Sequence, residues 1–159
     1  MNITNQDREF MREAIRLASE SVRNGGGPFG AVIVKDGKIV AGSSNRVTID
    51  NDPTAHAEVN TIREACRRLG TFDLSGCVIY TSCEPCPMCL GAIYWAHIDR
   101  IYYGNTRKDA ADINFDDDFI YHELEKPMDE RSTPIIQLLR DEALPVFRMW
   151  AESDEKTEY

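Results

Sequence analysis

Two short clusters in the sequence carry residue types that could together hold a metal ion and move protons. His56 and Glu58 flank a single alanine, and 26 residues separate Glu58 from the proline that begins the run Pro85-Cys86-Pro87-Met88-Cys89. The two cysteines of this run are three positions apart, so at the start of a helix both sulfurs can point to one side. Two thiolates and an imidazole are ligands typical of zinc.

Three protein ligands indicate a catalytic zinc ion. A structural zinc site is closed by four protein ligands, whereas three leave one position open for water. The ion lowers the pKa of that water from about 15.7 towards about 7, which provides a nucleophile at neutral pH. Glu58 can then carry protons beside the water without binding metal. We therefore predict His56, Cys86 and Cys89 as ligands of one zinc ion per subunit and Glu58 as the catalytic residue.

Spacing alone would also allow a further cysteine, Cys83, as a zinc ligand, because Cys83 and Cys86 form an overlapping Cys-x-x-Cys pair. A fourth thiolate would close the zinc site and remove the position for water. The pattern resembles the H-x-E…P-C-x-x-C signature of zinc nucleobase deaminases, in which the proline precedes the first cysteine ligand. That signature selects Cys86 and Cys89, and it leaves Cys83 to packing. Cys66 and Cys77 are interpreted as ordinary core residues.

Hydrophobic periodicity predicts the elements that would position these clusters. Helical spacing predicts an amphipathic helix over 5–23, and Asp36-Gly37 between two apolar runs predicts a hairpin. Thr54 is predicted as the N-cap of a second helix, which carries the His–Glu pair in its first turn. This succession favours a mixed sheet with helices on its faces. Strands are also predicted around 78–80 and 101–103, and helices at 86–95, 135–139 and 145–150.

Length and cysteine content suggest a single domain in a reducing compartment. A chain of 159 residues fits one compact domain, 1–159. No apolar run approaches the ~20 residues that cross a bilayer, so we expect no membrane partner. The first residues lack the features of a signal peptide, which predicts a cytoplasmic protein with reduced thiols. Three of the five cysteines fall within seven residues, which favours metal binding over disulfides.

The net charge of −9 is concentrated in the C-terminal third of the chain. Residues 1–108 carry 13 Lys and Arg against 12 Asp and Glu, whereas residues 109–159 carry 5 against 15. Nucleic-acid binding depends on basic contacts to phosphate, so we expect no nucleic-acid partner. The alternative is that the acidic region is a solvated face that only aids solubility.

Three stretches resemble the cytidine deaminase-like superfamily, and within it the small bacterial guanine deaminases. They are GPFGAVIV at 27–34, NDPTAHAE at 51–58 and YTSCEPCPMCLGAIYW at 80–95. These motifs are shared with bacterial tRNA adenosine deaminases and fungal cytosine deaminases, so they define the chemistry better than the substrate. The resemblance to guanine deaminases also includes FDD at 115–117 and the terminal EY at 158–159.

The resemblance implies a three-layer α/β/α cytidine deaminase-like fold with a central five-stranded mixed sheet. It also implies a homodimer in which the C-terminal segment, 132–159, is exchanged between subunits. Tyr159 would then close the pocket of the partner, and closure of its own pocket is the alternative. An apolar cluster at 145–150 within the acidic tail needs a protein surface to cover it.

The resemblance implies hydrolytic deamination of guanine to xanthine and ammonia, in purine catabolism or salvage. Phe29 would stack on the base, and Asn45 would form a hydrogen bond with it. The amide of Ala57, at a helix start, would stabilise charge that develops in the reaction. Asp117 would recognise the polar edge of the purine, with Asp116 as the alternative. The partner molecule is thus a small purine base.

Three other functions are compatible with parts of the pattern. A tRNA adenosine deaminase would have the same zinc site and would present a basic surface to RNA. A deaminase of nucleosides, guanosine or cytidine, would differ only in the depth of its pocket. A non-catalytic zinc-binding assembly module would need neither an exchangeable water nor an acidic residue at position 58.

Overall fold

A computed structural model describes residues 2–159, in which helices alternate with strands. The helices are α1 (Asn5–Arg23), α2 (Val47–Asp50), α3 (Ala57–Leu69), α4 (Pro87–Trp95), α5 (Arg107–Ala111), α6 (Asp118–Glu125) and α7 (Arg140–Glu152), with a 3-10 helix at Met128–Glu130. The strands are β1 (Gly30–Lys35), β2 (Lys38–Ser44), β3 (Cys77–Cys83) and β4 (Arg100–Asn105). Within this described range, no helix is both long and apolar enough to span a membrane.

The N-terminal helix and the hairpin confirm the prediction from periodicity. A capping box begins α1, in which the side chains of Thr4 and Asp7 each bind the other's backbone amide. Asp36 and Gly37 join β1 to β2 with φ angles of 49° and 71°. Positive φ at both positions is what a two-residue hairpin turn requires, and it explains the glycine.

The four strands form one mixed sheet with the order β2-β1-β3-β4. β1 is antiparallel to both β2 and β3, whereas β3 and β4 run parallel. The prediction of a five-stranded sheet is wrong, since the sheet has four strands in the residues that the structure describes. After β4 the chain turns into α5 and α6, and the apolar segment 134–139 lies in neither helix nor strand. A further strand would need backbone hydrogen bonds to a neighbouring strand, and that segment forms no such ladder.

Both faces of the sheet are covered by helices, which gives three layers around two apolar clusters. Alternation along β1 places Ala31 and Ile33 on one face and Val32 and Val34 on the other. The first face packs against α3 and α4 through Ala57, Ala65 and Ile93, and its cluster includes Cys77 with Cys66 beside it. The second face packs against α1 through Ala14, Phe10, Met11 and Leu17. The prediction of a core position is confirmed for Cys77, whereas Cys66 is partly buried and packs against the cluster.

The chain forms two compact units, of which the first ends at Asp118 and the second is Phe119–Tyr159. In the second unit, the carboxylate of Glu123 accepts hydrogen bonds from the amide and hydroxyl of Ser132 at 2.7 and 2.9 Å. The ion pair with Lys126 and these bonds lower the pKa of Glu123 to about 2.

The predicted helix at 145–150 lies within α7, whereas 135–139 is not helical. A single domain over 1–159 with an exchanged segment at 132–159 stays a prediction.

Candidate active site

The loop before α3 turns the imidazole of His56 away from its own helix. Thr54 is not the N-cap, because its amide and hydroxyl both donate to Asp52 Oδ1, at 2.8 and 2.7 Å, within a separate turn. His56 is the N-cap residue, and its side chain forms no capping hydrogen bond. Asn60 holds this loop in place through its amide nitrogen, which donates to the carbonyls of Ser44 and Ala55. The imidazole is therefore available to a ligand.

The start of α4 brings the two cysteines of the Pro-Cys-x-x-Cys run together. Cys86 is the N-cap, and its Sγ accepts a hydrogen bond from the amide of Cys89 at 3.5 Å. Pro87 follows at the first helical position, where its fixed φ favours the helix and no amide hydrogen is needed. The positive end of the helix favours thiolates, which are the form of cysteine that binds metal.

One imidazole and two sulfurs converge between the starts of α3 and α4. The ligand atoms of His56, Cys86 and Cys89 all lie within 4.8 Å of one another. His56 Nδ1 is 3.5 Å from each sulfur. One nitrogen and two soft sulfurs, with no further ligand in the group, fit a zinc ion with an open position. The three residues predicted as ligands are thus brought together in space.

The protons of this group are shared unevenly between the two cysteines. A hydrogen bond from Cys89 lowers the pKa of Cys86, and its hydrogen bond with His56 lowers it further. The same bond and burial raise the pKa of Cys89. The interaction with Cys86 also raises the pKa of His56. Zinc needs two thiolates and a neutral imidazole, so binding of the ion releases protons from this group.

Glu58 is the second residue of α3 and is buried beside the candidate ligands. Its Oε1 accepts a hydrogen bond from the hydroxyl of Thr81 at 2.9 Å, and its Oε2 lies 3.3 Å from Cys89 Sγ. Burial raises the pKa of the Glu58 carboxyl. A carboxyl group whose pKa is shifted towards neutrality can both take and return a proton, as a general acid–base catalyst must.

Cys83 lies at the end of β3 and is separate from the ligand group. Its sulfur contacts the carbonyl of Thr106 at 3.7 Å. Burial raises the pKa of the Cys83 thiol to about 11, which keeps it protonated at neutral pH. A protonated thiol that donates to a backbone carbonyl is consistent with packing.

Phe29 and Asn45 lie next to each other where β1 begins and β2 has ended. The amide of Asn45 donates to the carbonyl of Phe29 at 3.0 Å, and Asn45 Oδ1 accepts from the amide of Val47 at 3.2 Å. A Cβ at Gly27 would lie 3.0 Å from the Asn45 side-chain amide, so only glycine permits this approach without displacement. The ring of Phe29 meets Phe115 edge-on, with centroids 5.0 Å apart.

Asp117 and Asp116 differ in what their carboxylates contact. Asp117 Oδ1 is buried and has no hydrogen-bond partner among the described residues. Burial raises the pKa of Asp117, and the negative charge of the Cys86 thiolate raises it further. Asp116 is exposed, and its Oδ1 accepts from the amide of Asp118 at 3.1 Å. Tyr159 belongs to the second unit, and its role at the site stays a prediction.

A partly exposed ion pair that the sequence patterns did not single out links the segment with Asp117 to the cysteine run. Glu84 Oε2 accepts a hydrogen bond from the amide of Arg107 at 3.0 Å, and Glu84 Oε1 lies 3.2 Å from Arg107 Nε. Arg107 also lies 3.6 Å from the carboxylate of Asp118. Glu84 stands directly before the Pro-Cys pair of the motif, and this position is the sequence feature that could have identified it as a site residue. The ion pair links the start of α5 to the segment between β3 and α4, which leads to Cys86.

Known proteins resemble this chain in sequence and in overall fold. Residues 4–105 match the family described as cytidine and deoxycytidylate deaminase zinc-binding region. The chain belongs to this family. Its members are zinc-binding deaminases, so zinc is the cofactor of this chain, and His56, Cys86 and Cys89 form a group that is able to bind one metal ion.

Similarity to individual relatives extends beyond residues 4–105 to nearly the whole chain. The chain is 54% identical over 151 residues to a guanine deaminase of Bacillus subtilis, which covers 94% of this chain and 97% of that protein. An X-ray structure of guanine deaminase from Bacillus subtilis has a TM-score of 0.93 at 52% identity, with 100% and 99% of the two chains covered. A tRNA-specific adenosine deaminase of Bacillus subtilis is 40% identical over 99 residues, which is 62% of each chain.

The ligand assignment predicts different zinc contents for serine variants of neighbouring cysteines. Cys83→Ser should keep one zinc ion per chain, because a serine hydroxyl can still donate to the Thr106 carbonyl. Cys86→Ser and Cys89→Ser should each lose most of the ion, because a site with two strong ligands binds zinc weakly. Metal analysis of the purified, dialysed proteins measures these contents. Loss of zinc from Cys83→Ser, with folding intact by circular dichroism, would overturn the assignment.

Proposed function

We propose that this chain catalyses the hydrolytic deamination of guanine, which breaks the bond from C2 to the amino group and releases xanthine and ammonia. The length of the similarity carries this proposal. A match of 151 residues within a chain of 159 necessarily includes positions 115–117, and it links them to a guanine deaminase. The match to the tRNA-specific adenosine deaminase spans only 99 residues. The chain is therefore a hydrolase that acts on a carbon–nitrogen bond outside peptides.

The pocket residues suit a flat base with a polar edge. Phe29 is only partly buried, and its aromatic ring can stack on the purine. The amide of Asn45 can donate to and accept from the base. The buried Oδ1 of Asp117 has no protein donor among the residues described, so a ring N–H of the substrate would satisfy it. That unmet hydrogen-bonding capacity supports Asp117 over Asp116 as the residue that recognises the base.

Glu58 carries the protons of the reaction in this proposal. When bound, a zinc ion held by His56, Cys86 and Cys89 would supply an acidified water as the nucleophile. Glu58 accepts one proton of that water and delivers it to the ring nitrogen beside C2, which makes C2 more electrophilic, and the oxygen of the water bonds to C2. When C2 becomes tetrahedral, the amide of Ala57 can donate to the developing charge, since a first-turn amide has no intrahelical acceptor. Glu58 then takes the second proton from the oxygen on C2 and passes it to the amino group. The bond from C2 to that nitrogen breaks, ammonia leaves, and the oxygen remains as the C2 carbonyl of xanthine.

A cytoplasmic location also belongs to the proposal. All five cysteines are free in the structure, and two of them serve the zinc site as thiolates. The cytoplasm keeps thiols reduced, whereas an oxidising compartment would favour a disulfide between cysteines as close as Cys86 and Cys89.

We further propose a homodimer in which the segment 132–159 is exchanged between the subunits. The exposed apolar side chains of α7 support it, because Val146, Phe147 and Met149 are each at least 60% exposed in the single chain. Tyr94 and Trp95 at the end of α4 add a second exposed apolar surface for a subunit contact. In the exchanged arrangement, Tyr159 would cover the base in the pocket of the partner and exclude water from it.

An ammonia-release screen tests the substrate. The purified zinc protein should release ammonia from guanine and produce xanthine, with much slower release from adenine, cytosine, guanosine and cytidine. Coupled measurement of ammonia and spectrophotometric detection of xanthine follow the reaction. Turnover of a tRNA anticodon arm with none of guanine would favour the tRNA adenosine deaminase alternative instead. Release from no compound, with zinc bound, would favour a non-catalytic zinc module.

Truncation tests the role of the C-terminal tail. Deletion of residues 153–159 should leave zinc bound and the dimer intact, because the apolar residues of α7 remain. Turnover of guanine should fall at least about tenfold, because the pocket then stays open to water. Steady-state kinetics and sedimentation measure the two properties. Unchanged kinetics would show that the tail is only solvated charge.

Mixed dimers distinguish exchange from closure within one chain. A Glu58→Gln chain with an intact tail is combined with a tail-deleted chain that has a working Glu58. In the exchanged arrangement the intact tail covers the working site, so part of the activity returns. In the alternative arrangement every site lacks either Glu58 or a tail, and absence of any recovery in the mixture would contradict the exchange.

A further inference from the structure

Thr81 lies in the middle of the buried strand β3, next to the candidate proton carrier. It is 1% exposed and is paired in register with Ala31 of β1 and Tyr103 of β4. Its Oγ1 is 2.9 Å from Glu58 Oε1 and 3.1 Å from the carbonyl oxygen of Cys83. Strand pairing on both sides fixes the position of the Thr81 backbone. The side chain therefore starts from a fixed point when its hydroxyl contacts the Glu58 carboxylate.

The two oxygens of the Glu58 carboxylate have different surroundings. Oε1 accepts from Thr81, whereas Oε2 lies on the side of the metal ligands, 3.3 Å from Cys89 Sγ. A glutamate side chain rotates about three bonds, so contacts must hold it if one oxygen is to face the reacting water. The contact with Thr81 engages Oε1, and Oε2 lies on the side of the candidate ligands.

Within the described part of the chain, the side-chain donors to the Glu58 carboxylate are Thr81 and Cys89. Cys89 belongs to the candidate ligand group, whereas Thr81 lies outside it. The Thr81 hydroxyl is thus the side-chain donor that contacts the carboxylate from outside the ligand group.

We infer that Thr81 is a positioning residue for the reaction: its hydroxyl holds Glu58 Oε1 so that Oε2 faces the water and the substrate. This inference rests on the proposed role of Glu58 as proton carrier. Thr81 contacts neither the base nor the metal ligands in this account, so it acts on the rate of the chemical step and leaves substrate binding unchanged.

The test replaces the hydroxyl with a methyl group of similar size. Thr81→Val should lower kcat for guanine at least about tenfold, because a hydrogen bond to a charged group is lost. KM should change by less than about threefold, and one zinc ion per chain should remain. Thr81→Ser, which keeps the hydroxyl, should restore kcat to within about threefold of the wild type. Thr81→Ala is a second variant that removes the hydroxyl without a branched replacement, and it should show the same loss of kcat.

Tyr80 provides the matched control. It neighbours Thr81 on β3, is also buried, and its hydroxyl donates to Asp7 Oδ1 at 2.6 Å. Its side chain belongs to the apolar cluster on the other face of the sheet, so Tyr80→Phe removes a buried hydroxyl on the face opposite Glu58. It should lower the melting temperature while kcat stays within about threefold of the wild type.

Glu58→Gln serves as the reference for the underlying role and should lower turnover at least about 100-fold with zinc retained. Near-full turnover of Glu58→Gln would overturn the proton-carrier role itself. If Glu58→Gln is inactive but Thr81→Val and Thr81→Ala turn over as the wild type does, only the inference about Thr81 fails. A loss in Thr81→Ser as large as in Thr81→Val, or loss of zinc from these variants, would assign Thr81 to folding and likewise overturn the inference.

Discussion

The site depends on two helix starts that converge on one point. α3 contributes His56 as its N-cap residue, and α4 contributes Cys86 as its N-cap and Cys89 one turn later. An N-cap side chain usually satisfies the first amides of its own helix, but the imidazole of His56 makes no such bond and faces the sulfurs. The strand β3 separates the two helices along the chain and fixes their distance, so the sheet and its two covering layers serve to hold this pair of helix starts together.

The second requirement is a carboxyl group placed where water is scarce. Burial of Glu58 disfavours its charged form and raises its pKa, and the contacts with Thr81 and Cys89 offset part of that cost. Zinc binding changes this balance, because the positive ion favours a nearby carboxylate while Cys89 loses the proton it donated. The same burial that makes Glu58 costly to ionise makes it effective at returning a proton.

Local patterns in the sequence predicted most of the fold and the zinc group. The helix at 5–23, the hairpin and the strands around 78–80 and 101–103 follow from periodicity and turn residues that act over a few positions. Two features were missed. Thr54 satisfies the local rules for an N-cap, but its amide and hydroxyl both donate to Asp52, two positions earlier, in a competing local turn. Thr81 looks like an ordinary strand residue, because its contact with Glu58 spans 23 positions. The fifth strand was inferred from a family resemblance, and no ladder forms for it in the described residues.

X-ray absorption at the zinc edge tests the central claim, that His56, Cys86 and Cys89 hold one ion and leave a position open. The purified protein should show two sulfur neighbours at about 2.3 Å and two nitrogen or oxygen neighbours at about 2.0–2.2 Å. Addition of a purine inhibitor that bears an oxygen at C2 should alter the nitrogen and oxygen shell and leave the sulfurs in place. Three or four sulfur neighbours would place Cys83 or another thiolate on the metal, close the position for water and contradict the account.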